Sequence, residues 1–299
     1  MNVMKKIFVI FLISFNLYSF EMSLLNGPTA IGAVKMINDY KKINISIINS
    51  PNNILASIIK GEADIAAVPA NMASIIYNRG LDYKAVAVVS ETKMFIVSSD
   101  KNIKSIDDLK NKTIYCGLKL STPDLMLQYL IKNENIKGAN INYSLGNLDL
   151  SKALASKNVD IAILPEPFLS SALLENKDIN IIVDISKYVP PYPVAVLIAK
   201  KSFIENNNDV LKEILNEYKK STEYILNNKN EIESLIKQTS ILINAKAVAY
   251  GIDRIGITFY DDNNMKVKLN EYYNFIYNFD KKLIGNKIPK DDFYYIFSK

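Results

Sequence analysis

The chain has 299 residues, 49% of them hydrophobic, with 36 Lys or Arg against 31 Asp or Glu and only 10 Gly and 10 Pro; it can bury a sizeable core as one two-lobed unit or two domains. A net charge of +5 is too small to make nucleic acid the default partner. The absence of histidine removes Ser-His-Asp and Cys-His catalysis and nearly every zinc arrangement, and a single cysteine, Cys116, allows no disulfide and no thiolate cluster, so no metal or cofactor is implied.

The segment 1–19 reads as an export signal. Lys5 and Lys6 precede an apolar core from Ile7 to Leu17, and Tyr18-Ser19-Phe20 leads to the first acidic residue, Glu21. The core is too short to span a bilayer as a helix, and no second apolar stretch of about 18 residues follows. The mature chain is expected to begin near residue 20, in the periplasm or otherwise outside the cytoplasm.

From there strand-like and helix-like runs alternate. Met22 to Asn26 is a strand, followed by Gly27-Pro28-Thr29 and a helix from Ala30 to Asp39. Ile43 to Ile48 is the next strand, Pro51 to Ile59 a helix, and Lys60-Gly61-Glu62 its turn. A strand from Asp64 to Val68 enters the Pro69-Ala70-Asn71 loop and a helix to about Tyr77. Lys84 to Val89 and Lys93 to Ser98 are strand-like, the second a crossing to another lobe through the polar linker Asp100 to Lys104.

The second lobe opens with Ser105-Ile106-Asp107-Asp108-Leu109, where Ser105 and Asp108 form the pattern of a capping box. Thr113 to Cys116 is its strand, Gly117 to Ser121 a loop and Thr122 to Asn133 a helix. Strand 140–144, helix 148–156, strand 159–164, helix 167–174 and strand 179–184 follow. Pro190-Pro191-Tyr192-Pro193 is a stiff segment before the apolar strand Val194 to Ala199, the expected return crossing. The remainder is helical, with 3.6-residue stripes over Phe203 to Leu226 and Lys268 to Leu283. The expected division is therefore a signal over 1–19, one lobe from 20–99 plus 195–299, and another from 100–194. Fold class is α/β: two βα lobes joined by a two-crossing hinge with a cleft between them.

An internal repeat supports that division. Ala63-Asp64-Ile65-Ala66-Ala67-Val68-Pro69 aligns with Val159-Asp160-Ile161-Ala162-Ile163-Leu164-Pro165 at an offset of 96 (160 − 64), and Ser74 then falls on Ser170. Gly27-Pro28, Ser50-Pro51 and Thr122-Pro123 each place proline behind a capping residue, where its fixed φ and missing N–H suit a first helical turn. Such starts aim free N–H groups and a positive dipole end at one place, which suits a carboxylate, sulfonate or other acceptor-rich group; each is equally an ordinary cap. Arginine occurs only at Arg79 and Arg254, so a bidentate guanidinium clamp is possible at two places.

These residues resemble the solute-binding proteins of ABC importers in the broad nitrate, sulfonate, taurine and thiamine-precursor family, which has the type II periplasmic-binding fold. Asn26-Gly27-Pro28-Thr29, the stretch Gly61 to Pro69 with Asn71, Ser105 to Lys110, and Pro165-Glu166-Pro167-Phe168 carry the likeness, and Ile288 to Tyr295 resembles the end of one branch. The resemblance implies a small-molecule ligand between the lobes and an ABC permease in the membrane as partner, with the chain a monomer. It places Gly27, Pro28, Thr29, Ser50, Pro69, Ala70 and Asn71 on one wall. Ser121, Thr122 and Glu166 face them, with Thr92 near the first crossing and Tyr192 at the return. Glu166 in the cleft would favour a cationic or amine-bearing ligand; otherwise it decorates a helix start. Phe168 and Tyr192 would stack on a planar ligand.

An enzyme on the same fold, acting on a small aromatic or pyrimidine-type metabolite, is the alternative. The missing histidine and the export signal weigh against it, and no paired acid and base stands out.

Overall fold

The computed structural model describes residues 20–117, 119, 121–189 and 192–297; the expected export signal and the Pro190-Pro191 pair lie outside them. Up to the first crossing the elements are β1 (Phe20–Leu25), α1 (Pro28–Gly32), α2 (Val34–Asp39), β2 (Ile43–Ile48), α3 (Pro51–Lys60), β3 (Ile65–Pro69), α4 (Ala70–Asn78) and β4 (Tyr83–Glu91). Next come β5 (Met94–Ser98), β6 (Thr113–Cys116), α5 (Thr122–Asn133), β7 (Asn140–Asn142), α6 (Asn147–Ala155), β8 (Ile161–Pro165), α7 (Phe168–Glu175) and β9 (Asn180–Asp184). The chain closes with β10 (Pro193–Lys200), α8 (Lys201–Asn206), α9 (Asn208–Asn227), α10 (Ile232–Lys237), α11 (Ala245–Gly251), β11 (Ile257–Tyr260) and α12 (Asp262–Asp280).

Two mixed sheets result, ordered β11-β4-β10-β3-β1-β2 and β7-β6-β8-β5-β9. Apart from β11 they share one plan: β1, β2 and β3 occupy the places of β6, β7 and β8, while β10 and β4 occupy those of β5 and β9. The repeat seen in the sequence is thus β3 and β8, the same strand of each half. Both read as unbroken apolar runs because helices cover both faces, and Ile65 to Val68 and Ala162 to Leu164 are fully buried.

The strand registers fix which edges face each other. β1, β2 and β3 are parallel, so the loops after Leu25, Ile48 and Pro69 leave one edge of the first sheet. Strand β10 is antiparallel to β3 and pairs Pro193 with Glu91, so both crossings leave from that same edge. In the second sheet β6, β7 and β8 are parallel, and Met94 pairs with Pro165 while Phe95 pairs with Asp184. The crossings therefore enter the second sheet at the edge carrying the loops after Cys116 and Pro165. Loop-bearing edges of both halves meet at the crossings. Thr92 ties the two crossings together, donating its N–H and its hydroxyl to the Tyr192 carbonyl at 2.8 and 3.0 Å.

One buried cluster runs from Ile54, Val68 and Val88 of the first half through Tyr192 and Met94 to Ile96, Leu130 and Ile163 of the second. The others are local, one between the first sheet and α9 and one between the second sheet, α6 and α7. Among the described residues no helix is long and apolar enough to cross a membrane.

The structure departs from expectation at several ends. The first helix is two pieces that meet at Ala33, whose φ of −91° and ψ of 1° interrupt the helical ladder. The long helix after β10 breaks at Asn207 into α8 and α9, and the last one starts at Asp262 and gives way to a 3-10 turn over Lys281–Ile284. Strand β5, placed before the expected boundary at 99/100, pairs in the second sheet, and Pro193 and Val194 already belong to β10. The remainder was expected to be helical, as α10 and α11 are, but these two were not distinguished as separate helices and the strand β11 was not expected. Their buried faces are short, and α11 offers only Ala245, Ala247, Val248 and Gly251 to the core, too little apolar volume to mark a stripe.

Candidate functional site

Gly27 caps α1 and Pro28 is its first residue, but α1 has five residues, so its dipole is weaker than that of the continuous helix expected. Open space lies where a Cβ on Gly27 would stand. Thr29 is buried, and its hydroxyl is committed to the Leu25 carbonyl at 2.7 Å. The Thr29 carbonyl accepts from Tyr218 at 2.6 Å. Ser50 caps α3, its Oγ accepting from the Asn52 N–H at 3.2 Å, as the Ser-Pro pattern predicts. Pro69 ends β3 and is the cap of α4; Ala70 is buried, with its carbonyl accepting from Tyr273 at 2.9 Å, and Asn71 is half-buried in the first turn.

On the opposite edge the cap of α5 is Ser121, one residue earlier than the Thr122-Pro123 pattern suggests, which puts Thr122 first and Pro123 second in the helix. Both Ser121 and Thr122 are half-buried. Asp124 in the same turn is fully buried and accepts from Tyr143 at 2.7 Å and Gln128 at 2.8 Å. Burial, together with that bond, pushes the Tyr143 phenol well above its ordinary pKa. Gly117, just after β6, stands so close to the start of α6 that a Cβ there would clash with the Asn147 side chain.

Three residues expected to meet ligand, Tyr192, Thr92 and Glu166, are engaged by the protein itself. The Tyr192 ring stacks on Phe275 at 4.6 Å and touches Tyr272 at 5.9 Å, and burial raises its pKa. Thr92 spends both donors on the crossing. Glu166 is the larger surprise: its carboxylate is 1% exposed and takes an ion pair from Arg254 Nε at 2.7 Å. It also accepts from the Ser170 N–H and hydroxyl, each at 2.9 Å, and Arg254 Nη2 donates to the same hydroxyl at 2.9 Å. A carboxylate neutralised this way no longer favours a cationic ligand.

The sequence pointed to Glu166, Ser170 and Arg254 separately, as a loop residue, a repeat position and one of two arginines; nothing in it joined them. Arg254 follows α11 in the first half, Glu166 precedes α7 in the second, and the contact exists only once the halves meet. The other arginine, Arg79, caps α4 at its exposed C-terminal end.

The profile of the NMT1/THI5-like family matches residues 41–232. No curated protein matches the chain. Among solved structures, an ABC transporter protein from Parabacteroides distasonis has a TM-score of 0.79 at 20% identity, over 93% of this chain and 98% of that one. The periplasmic aliphatic sulphonate binding protein SsuA from Escherichia coli has a TM-score of 0.70 at 18% identity, covering 91% and 94%. The alkanesulfonate-binding protein SsuA from Xanthomonas axonopodis pv. citri, bound to MOPS, has 0.65 at 13%, covering 91% and 94%. At these identities the likeness is one of fold, and it extends over nearly the whole described chain.

Proposed function

We propose, from the premise that this chain belongs to the NMT1/THI5-like family, that it is the extracytoplasmic solute-binding component of an ABC importer. Its ligand is a small organic molecule held between two lobes, and hinge closure around it presents the loaded form to a membrane permease. The observation that carries this is topological: the loops after β1, β2 and β3 and those after β6 and β8 leave edges that meet across two crossings tied at Thr92 and Tyr192. Ligand that touches both edges better than either alone shifts the lobes together. Lobe division follows the sheets, with the hinge at Thr92, Lys93 and Tyr192. The sulfonate-binding proteins of the same fold support an acceptor-rich ligand. So do the N-terminal turns of α3 and α5, which offer backbone N–H groups beside Ser50, Ser121 and Thr122. With Arg254 held by Glu166, those N–H groups, hydroxyls and Asn71 do the recognising in place of a guanidinium clamp.

Mass spectrometry of small molecules released by mild denaturation of freshly purified protein tests the proposal, followed by calorimetry with the compound found. One ligand per chain is expected, with affinity around micromolar, about −8 kcal/mol. Release of no small molecule, or of one chemically altered during incubation, overturns it, the second in favour of an enzyme.

A further inference from the structure

The polar group that expectation placed on a ligand instead forms an ion pair from one half to the other. Glu166 and Ser170 stand at the start of α7, whose Leu169 and Ala172 belong to the core of the second sheet. Arg254 and Gly251 stand at the end of α11, whose Val248 and Ala245, with Ile252 and Ile255 after it, belong to the core of the first. The two ends are in intimate contact. A Cβ on Gly251 would lie 2.2 Å from Ser170 Oγ and 2.8 Å from the Glu166 carboxylate carbon, so only glycine lets α11 come this near. Beside the ion pair, the Tyr250 ring lies under Lys177 Nζ at 4.8 Å and Arg254 Cζ at 5.4 Å, adding a second cross-half contact.

We infer that Glu166, Ser170, Gly251 and Arg254 form a latch that holds the two lobes together without ligand, so that the resting protein is biased toward closure. This is regulation of the inter-lobe site proposed above and rests on that reading. The chemistry suits a reversible device. When the lobes part, Arg254 withdraws into water with its first-half neighbours, while Glu166 keeps the Ser170 N–H and hydroxyl of its own helix as partners. Neither charge is left buried and alone, which is the situation that makes breaking an interior ion pair expensive. Paired as they are, the Glu166 side chain is 1% exposed and that of Arg254 25%, so the pair is shielded enough to count and open enough to release. A binding protein biased this way pays less of the closing free energy from ligand contacts, and its apparent affinity rises with the closed fraction.

The test needs no ligand. Leu242, 77% exposed beside Asn26, and Leu148, 57% exposed next to Asn147, sit on the two facing edges. Cysteines at these positions, with the buried Cys116 left in place, take spin labels for distance measurement by pulsed paramagnetic resonance on protein stripped of small molecules. The wild-type background is expected to show one short, narrow distance, and E166Q, R254Q and G251A each to move population to longer, broader distances. G251A acts through bulk alone. If R254Q fails to fold, E166Q decides, because its amide oxygen still accepts from Ser170 and caps α7. Unchanged distances in E166Q or in a folded R254Q overturn the latch, as does a wild-type background already at the long distance. Either result leaves the binding reading standing, just as finding no released small molecule overturns that reading and leaves the distances meaningful.

Discussion

Thr122 is the residue at which the proposed site is most exposed to a direct test. It is half-buried in the first turn of α5, where backbone N–H groups have no helical partner, and its hydroxyl would join them on an acceptor-rich group. Thr122→Ala is expected to weaken binding of the released compound about tenfold, the loss of one hydrogen bond of about 1.4 kcal/mol. Stability should stay within about 0.5 kcal/mol, since the cap is Ser121. Calorimetry and urea unfolding read the two effects, and unchanged affinity removes Thr122 from the site. At this scale the sequence was legible where a residue acts on its own neighbours, as with Ser50 on Asn52 or Ser105 on Asp108. It was not legible for Thr29, Tyr192 and Glu166, whose partners Tyr218, Phe275 and Arg254 come from distant segments.

The elements were easier to see than the side chains' fates, because periodicity and caps are local. The capping box opening the second lobe is present, with the Asp108 carboxylate accepting from the Lys104 and Ser105 N–H groups and the Ser105 hydroxyl. Those bonds, led by the Lys104 N–H, hold its carboxyl below the usual aspartate range. A depressed folded pKa contributes stability above the unfolded value that is lost as pH falls through the folded one. Asp108→Asn should therefore lower stability at neutral pH, and the gap from wild type should close on acidification. Thermal unfolding from neutral to acidic pH checks this; a gap independent of pH would mean the charge plays no part. Short elements with few apolar residues escaped notice, and α11 among them supplies one side of the latch.

Across the whole molecule, the halves are joined by packing as well as by chain. Tyr129 of α5 meets Phe275 of α12 at 5.2 Å, and Phe275 stacks on Tyr192 at the return crossing, continuing one core from sheet to sheet. Unfolding is expected as a single transition, with far-ultraviolet circular dichroism and tyrosine fluorescence coincident. Phe275→Ala removes the bridging ring and should cost about 2–4 kcal/mol, separating the two signals as the halves lose their common core. Two coincident transitions with unchanged midpoint would show that the halves do not depend on this cluster.

The sequence by itself determined the α/β alternation, the repeat that became β3 and β8, and the helix starts behind proline. Each depends on residues a few positions apart, where φ preference, capping and apolar period act. Only the tertiary structure decided that Tyr192 packs inward on Phe275 and that Glu166 meets Arg254. Those pairings join segments as much as 88 residues apart, and burial makes them: a carboxylate and a guanidinium find each other only where folding has removed the water both would otherwise keep.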